Sequence, residues 1–273
     1  MYIPAHSDFI IHWTGKDIEN IEKNKDKKND RYLKRLYSIL KWGLWMTKDD
    51  KDEIIKLYNG EELQRPSVAK TCFTELKLSQ AEYHAKKFGS LGIGFKRTFL
   101  FARLGSPMFY YHPGKPKNWF FPEYMNKPHF DKKNDFFSCF YKEMCPPKGK
   151  YWKYSFFDES EWRIIYSEEI KEKLQKMSKN EIIDRFKTPE ELNDEELNRY
   201  LKEIGSRPEY LIPLDAWLSM IIYPNIKVKD DSRNCKGIRE MIEKIKERKN
   251  KNNISKENLN FPIELDLPAC KNF

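Results

Sequence analysis

Three small constellations in this 273-residue chain carry residue types able to do chemistry. His12 and Thr14 stand two apart in Phe9-Ile-Ile-His-Trp-Thr-Gly15, a short apolar run that closes on a turn signal. Side chains two apart in a strand point the same way, so imidazole and hydroxyl could together hold the hydroxyls of a bound ribose. Glu159 and Glu161 flank Ser160 just ahead of Trp162-Arg-Ile-Ile-Tyr166. Paired carboxylates can stabilise a cationic, sugar-like transition state and activate a nucleophile. Thr74 and Glu75 close the run Thr71-Cys-Phe-Thr-Glu75 and are placed to line a cleft at a strand's end. Each group also has a plainer reading: a structural His beside a turn, solvent-facing acids before a buried strand, and a tight turn.

Other chemistries find no motif. Gly89-Ser-Leu-Gly-Ile-Gly94 is not a G-x-G-x-x-G opening a helix, and neither H-E-x-x-H nor G-x-S-x-G occurs. His112, His129, Cys139 and Cys145 have spacings that match no usual zinc pattern. His84 reads as a residue on a helix face.

The elements that must position these residues follow from pattern. Strands are expected near 9–13, 70–75, 91–96, 107–111 and 161–166, with one or two more from 209–223, because those runs are apolar and β-rich. Leu33, Leu36, Tyr37 and Leu40 fall at helical spacing and Gly43 stops them. Ser79-Gln-Ala-Glu82 has the form of a capping box for a helix running to Phe88, with Gly89 as a left-handed stop. Thr188-Pro-Glu-Glu191 combines a cap, a proline at the first position and a Glu at the third. Residues 109–166 hold 19 of the 40 aromatics and many prolines, which predicts an irregular aromatic excursion at 112–155 with a helix near Asp131–Met144. A polar helical segment occupies 167–207, a basic helix Asn234–Lys249, and the end of the chain reads as a loose tail with an apolar patch at Phe261–Leu267. The expected architecture is α+β, a single domain with a central mixed or antiparallel sheet and helical decorations. A core at 1–223 is followed by the basic helix and tail at 224–273.

Composition narrows the class. Forty aromatics exclude a disordered chain, and 11 Gly with 15 Pro exclude a collagen-like one. No long uncharged apolar stretch predicts a membrane span, no leader is visible at Met1–Asp8, and five cysteines without a C-x-x-C fit reduced thiols in a cytoplasm. The net charge is +9. Lys23–Arg35 carries seven positive and two negative residues, and Arg233–Lys256 nine and three. Such runs permit a nucleic-acid partner through Arg233–Lys256, although most charge runs are solvated helix faces.

In chain order, His12-Trp-Thr-Gly15, Thr71-Cys-Phe-Thr-Glu-Leu-Lys-Leu-Ser79 with His84, Phe88-Gly-Ser-Leu-Gly-Ile-Gly-Phe95, Gly105-Ser-Pro-Met-Phe-Tyr-Tyr111 and Glu159-Ser-Glu-Trp-Arg163 together resemble the AbiGi family of abortive phage-infection proteins over most of 8–223. That resemblance implies phage defence in a bacterial cytoplasm, as the antitoxin half of a pair whose other member resembles a nucleotidyltransferase toxin. A more distant likeness is to ADP-ribosyltransferases, which place a His or Arg on the first strand, a Ser, Thr or Tyr on a middle strand and a Glu on a late strand. His12, Thr74 and Glu161 match in order, while a middle Tyr or a Ser-Thr-Ser run is lacking. Two functions are therefore expected to compete. In the first, NAD is the cofactor, His12, Thr14 and Thr74 bind it, and Glu161 and Glu159 are catalytic, Glu161 stabilising the oxocarbenium-like centre and Glu159 positioning or deprotonating the acceptor. In the second, the chain is a non-catalytic antitoxin that neutralises its cognate toxin by binding.

Overall fold

The structure, a computed structural model, describes residues 9–48, 53–56, 62–75, 77–111, 136–143, 160–251 and 262–272. The strands in chain order are β1 (Phe9–Thr14), β2 (Leu44–Met46), β3 (Glu53–Lys56), β4 (Glu62–Arg65), β5 (Ala69–Thr74), β6 (Leu91–Lys96), β7 (Ser106–Pro107), β8 (Phe109–Tyr111), β9 (Tyr141–Glu143), β10 (Glu161–Tyr166), β11 (Tyr210–Ile212), β12 (Leu218–Tyr223) and β13 (Ile263–Asp266). Seven of them form one mixed sheet in the order β13-β12-β6-β1-β5-β10-β7. The β12–β13 pair is parallel and the other pairs are antiparallel. The chain is thus mixed α/β on a large mixed sheet. No helix among the described residues is long and apolar enough to cross a membrane.

The helices are α1 (Lys16–Ile21), α2 (Lys25–Trp42), α3 (Ala81–Phe88), α4 (Thr98–Phe101), α5 (Glu168–Lys176), α6 (Asn180–Ile183), α7 (Pro189–Leu192), α8 (Glu195–Ile204), α9 (Ile226–Asn234) and α10 (Lys236–Lys251). Helix α2 begins earlier than its apolar stripe, because the Asn24 side chain accepts hydrogen bonds from the amides of Asp26 and Lys27. It buries Tyr32, Leu36, Ile39 and Leu40 against the sheet face that carries Ile10, Phe73, Ile93, Phe95 and Ile164. Val228 of α9 and Ile238 and Ile245 of α10 complete that core. The other face of the sheet presents Ile11, Trp13, Met220 and Ile222 to Ala81 and Ala85 of α3 and to Leu267 and Cys270.

Several expectations need correction. Ser79 does not cap α3: residues Leu78–Gln80 already form a 3-10 turn, so Ser79 is never in the non-helical cap position, and Gln80 precedes the helix without a side-chain bond. The helix does run to Phe88 and stop at Gly89 with a positive φ of 111°, but ψ is 156°, outside the left-handed helical conformation expected there. The strand expected at 107–111 is divided. Ser106–Pro107 pairs with β10, whereas Phe109–Tyr111 pairs in parallel with Tyr141–Glu143 in a separate ribbon. The helix expected near Asp131–Met144 is instead a 3-10 turn at Phe136–Phe140 followed by β9, its other residues lying outside the described ones. The loose tail is a structural element: β13 adds the seventh strand, so the sheet continues past residue 223. By contrast, Thr188 forms the full capping box, accepting from Glu191 N at 3.1 Å while the Glu191 carboxylate accepts from Thr188 N at 2.9 Å.

Gly89 exposes how tightly β1 is seated. A Cβ there would lie 2.3 Å from Thr14 O and 2.4 Å from Lys16 N, backbone atoms that cannot swing aside. At Gly205, φ is also positive at 63°, but nothing lies within 4 Å of such a Cβ. Gly205→Ala is therefore expected to cost only conformational strain, about 1 kcal/mol, or a fall of roughly 2–4 °C in thermal midpoint. Gly89→Ala should lower the midpoint at least twice as far, as a calorimetric scan of the two variants would read.

Candidate functional site

Strand alternation decides which candidate residues can meet. Thr74 stands directly opposite Glu161 on β10 and opposite Ile11 on β1. Cross-strand partners share a face, so Thr74 and Glu161 lie on the α3 side of the sheet with Trp13 and Cys72. His12 and Thr14, one residue out of phase with Ile11 and Trp13, lie on the α2 side. The convergence of His12 with Thr74 and Glu161 in one pocket is therefore corrected: Thr74 and Glu161 are brought together, and His12 and Thr14 are brought together, on opposite faces. Glu159 lies outside the described residues. Ser160 has φ 42°, so the extended run begins only at Glu161.

On the α3 side, Glu161 is only 5% exposed and both its oxygens are occupied. Arg163 Nε donates to Oε1 at 2.6 Å and Lys142 Nζ to Oε2 at 2.6 Å. Burial alone would raise this carboxyl, but the Arg163 and Lys142 cations outweigh it and hold it well below the ordinary carboxylate range. Arg163 also donates to Cys139 O at 2.8 Å, and the Glu161 amide donates to the Tyr110 hydroxyl at 2.8 Å. Beside it, burial and the Glu161 carboxylate push the Cys72 thiol up to about 12, which leaves it protonated and unreactive. The Thr74 hydroxyl is spent as well, accepting from Trp13 Nε1 at 3.0 Å and donating to Ile11 O at 3.4 Å.

On the α2 side, the His12 Nδ1–H donates to Cys72 O at 2.9 Å. This bond crosses between β1 and β5, where Ile11 and Thr74 are the one bridged pair. Burial lowers the His12 pKa, the bond to Cys72 opposes that, and the Arg35 cation lowers it further, so the ring is neutral. Thr14 Oγ1 accepts from Arg35 Nη1 at 2.9 Å. Arg35, 5% exposed, also donates to both oxygens of Asp17, at 2.7 and 3.5 Å, and to the Tyr200 hydroxyl at 3.2 Å. Its guanidinium lies 4.6 Å from the Trp45 ring centre. Glu75 is held by Arg97 at 2.9 Å and accepts from Trp162 Nε1 at 2.9 Å.

Sequence reasoning missed Arg35, Lys142 and Arg163. Arg163 was legible, since it stands two residues from Glu161 on the same strand face. Arg35 was read as part of a basic run, although it sits beside Leu36 on the inward stripe of α2. Its C-terminal part is engaged: Lys34 pairs with Glu203, Arg35 with Asp17 and Arg31 with Glu22. In the second basic run, Arg233 pairs with Glu264, Lys236 with Glu240 and Lys246 with Glu243. Among the described residues, no three His, Cys, Asp or Glu side chains gather as a metal site. Compared with protein-family models, with curated proteins and with solved structures, the chain matches none.

Glu161→Gln removes the charge between two buried or half-buried cations, and breaking such a cluster costs about 3–5 kcal/mol. Wild type should exceed the variant by that order at pH 7 in urea unfolding. The native state holds this carboxyl below its unfolded pKa of about 4.3, so its contribution is complete above that value and is lost as pH falls through and below it. The gap between the two proteins should accordingly be unchanged from pH 7 to pH 5 and narrow by pH 3.

Proposed function

We propose that this chain is the binding member of an AbiGi-like anti-phage pair, recognising a partner protein, and that its sheet does not turn over NAD. The observation that carries this reading is the state of Glu161. A carboxylate that steadies an oxocarbenium-like centre needs an oxygen directed at the reacting carbon. Both oxygens of Glu161 are instead within 2.6 Å of protein cations. A dinucleotide laid on one face of the sheet would meet Thr74 and Glu161, or His12 and Thr14, but not all four. The hydroxyls of Thr14 and Thr74 and the Nδ1 of His12, three residues expected to bind the dinucleotide, are bonded to the fold itself.

A second reading, an NAD-using ADP-ribosyltransferase-like effector, is favoured by one arrangement. Strands β1, β5 and β10 are neighbours, with Thr74 directly across from Glu161. It requires Lys142 to leave Glu161 and the nucleotide to enter at the sparsely bridged β1–β5 seam.

Purified chain supplied with saturating NAD should release nicotinamide no faster than a blank. Expressed alone it should leave growth unchanged, and it should form a complex with the nucleotidyltransferase-like product of an adjacent gene and relieve that protein's toxicity. Steady nicotinamide release by the wild-type chain would overturn the binding reading in favour of the enzyme.

A further inference from the structure

The last described residues fill a groove with a strict two-sided chemistry. Strand β13 lies parallel on β12, with Ile263 beside Met220, Glu264 beside Ile221, Leu265 beside Ile222 and Asp266 beside Tyr223. Ile263 and Leu265 turn to the α3 side and pack on the cluster of Ile11, Trp13, Met220 and Ile222, which Leu267 and Cys270 extend. Glu264 and Asp266 turn to the other side. There the Glu264 carboxylate accepts from the Tyr223 hydroxyl at 2.6 Å and pairs with Arg233 at 3.0 Å, while Asp266 faces Lys229 at 3.7 Å. The floor is therefore apolar and the wall formed by α9 is basic. Only an extended segment that alternates apolar with acidic residues satisfies both.

The underlying strand is made for such pairing. All six residues of β12 are buried, and its backbone donors and acceptors on this side are met by a ladder of just four residues, each half-buried. A short edge ladder opens locally at a lower cost than the whole fold. An opened β12 would offer an unpaired row of N–H and C=O groups to another strand.

We propose that the β12–α9 groove is a strand-acceptor site, filled in cis by residues 262–272, and that the partner protein docks there through an extended segment of the same apolar–acidic alternation. The proposal rests on the partner-binding reading for the identity of the occupant. NAD turnover would sink that reading without altering the behaviour of the groove, and the groove can fail while that reading stands.

The test uses full-length chain and a fluorescent peptide of residues 262–273 with Cys270→Ser as the probe. In full-length E264K/D266K the chain's own strand is weakened, so the acceptor is free for a larger fraction of the time. Its apparent affinity for the probe should rise at least about tenfold over wild type, because affinity scales with the competent fraction. A probe carrying E264K/D266K should bind neither protein. Equal binding by the two chains, or no binding by a variant that melts cooperatively, overturns the proposal. Concentration-dependent dimerisation of the variant also overturns it, since a second copy is then the occupant. If the variant does not fold, hydrogen exchange on wild type decides. Amides of 263–266 exchanging at least about 100-fold faster than those of β6 support a separable strand, whereas exchange only with global unfolding overturns it.

Discussion

The α2 side of this protein is organised by one buried guanidinium. Arg35 takes Asp17 from α1, Thr14 from β1 and Tyr200 from α8, and rests on the Trp45 ring of β2. An arginine can serve four elements at once because its donors form a rigid planar fork and its faces stack. Each partner is needed, since a buried charge that loses its bonds is strongly destabilising. With Thr14 fixed, the register of β1 is fixed, and with it the position of His12 over the seam to β5. Lys34 and Lys41 extend the same junction by pairing with Glu203 and Glu196 on α8. Three cations of α2 thereby tie it to the acidic side chains of α1 and α8.

Across the sheet, Glu161 plays the corresponding part with the opposite sign. It ties β10 to Lys142 and, through Arg163, to the carbonyl of Cys139. The two centres share strands yet are kept apart by the sheet. Each polar atom that resembled a ligand for a nucleotide proves to be a ligand for the protein. The hydroxyl of Thr74 and the Nδ1 of His12 join β1 to β5 where the backbone ladder is incomplete, and the hydroxyl of Thr14 ties β1 to Arg35 of α2. A reactive type in a suggestive order is thus also what a fold needs where two strands diverge.

Much of the sheet was legible in the sequence because its strands are short apolar runs bounded by turn residues, as at Phe9–Thr14, Leu91–Lys96 and Glu161–Tyr166. The Thr188 cap was legible because its determinants are all local. What failed depended on distant partners. Ile263–Asp266 carries a weak strand signal alone, and becomes a strand by finding β12 and the cations of α9. Ser79 has the correct neighbours for a cap, but the chain is already turning when it arrives there. Chain order led to the expectation that His12, Thr74 and Glu161 share one pocket; that Thr74 and Glu161 stand directly opposite each other comes from the β5–β10 register. The face to which His12 points was not legible either, since phase between strands is set by register, which no single strand encodes.

The seam between β1 and β5 has a mechanical consequence. It divides the sheet into a four-stranded plate, β13-β12-β6-β1, and a three-stranded plate, β5-β10-β7. Within the larger plate β1 and β6 are paired over six residues, and within the smaller β5 and β10 likewise. Between the plates a single bridged pair is supplemented by the His12–Cys72 and Trp13–Thr74 bonds. Side-chain bonds tolerate rotation better than a continuous backbone ladder does, so a twist imposed on the sheet would be taken up more cheaply on this line than within either plate. The two ladders are therefore joined at the seam largely through side chains, with Arg35 bound to Thr14 at the end of β1 on the α2 side.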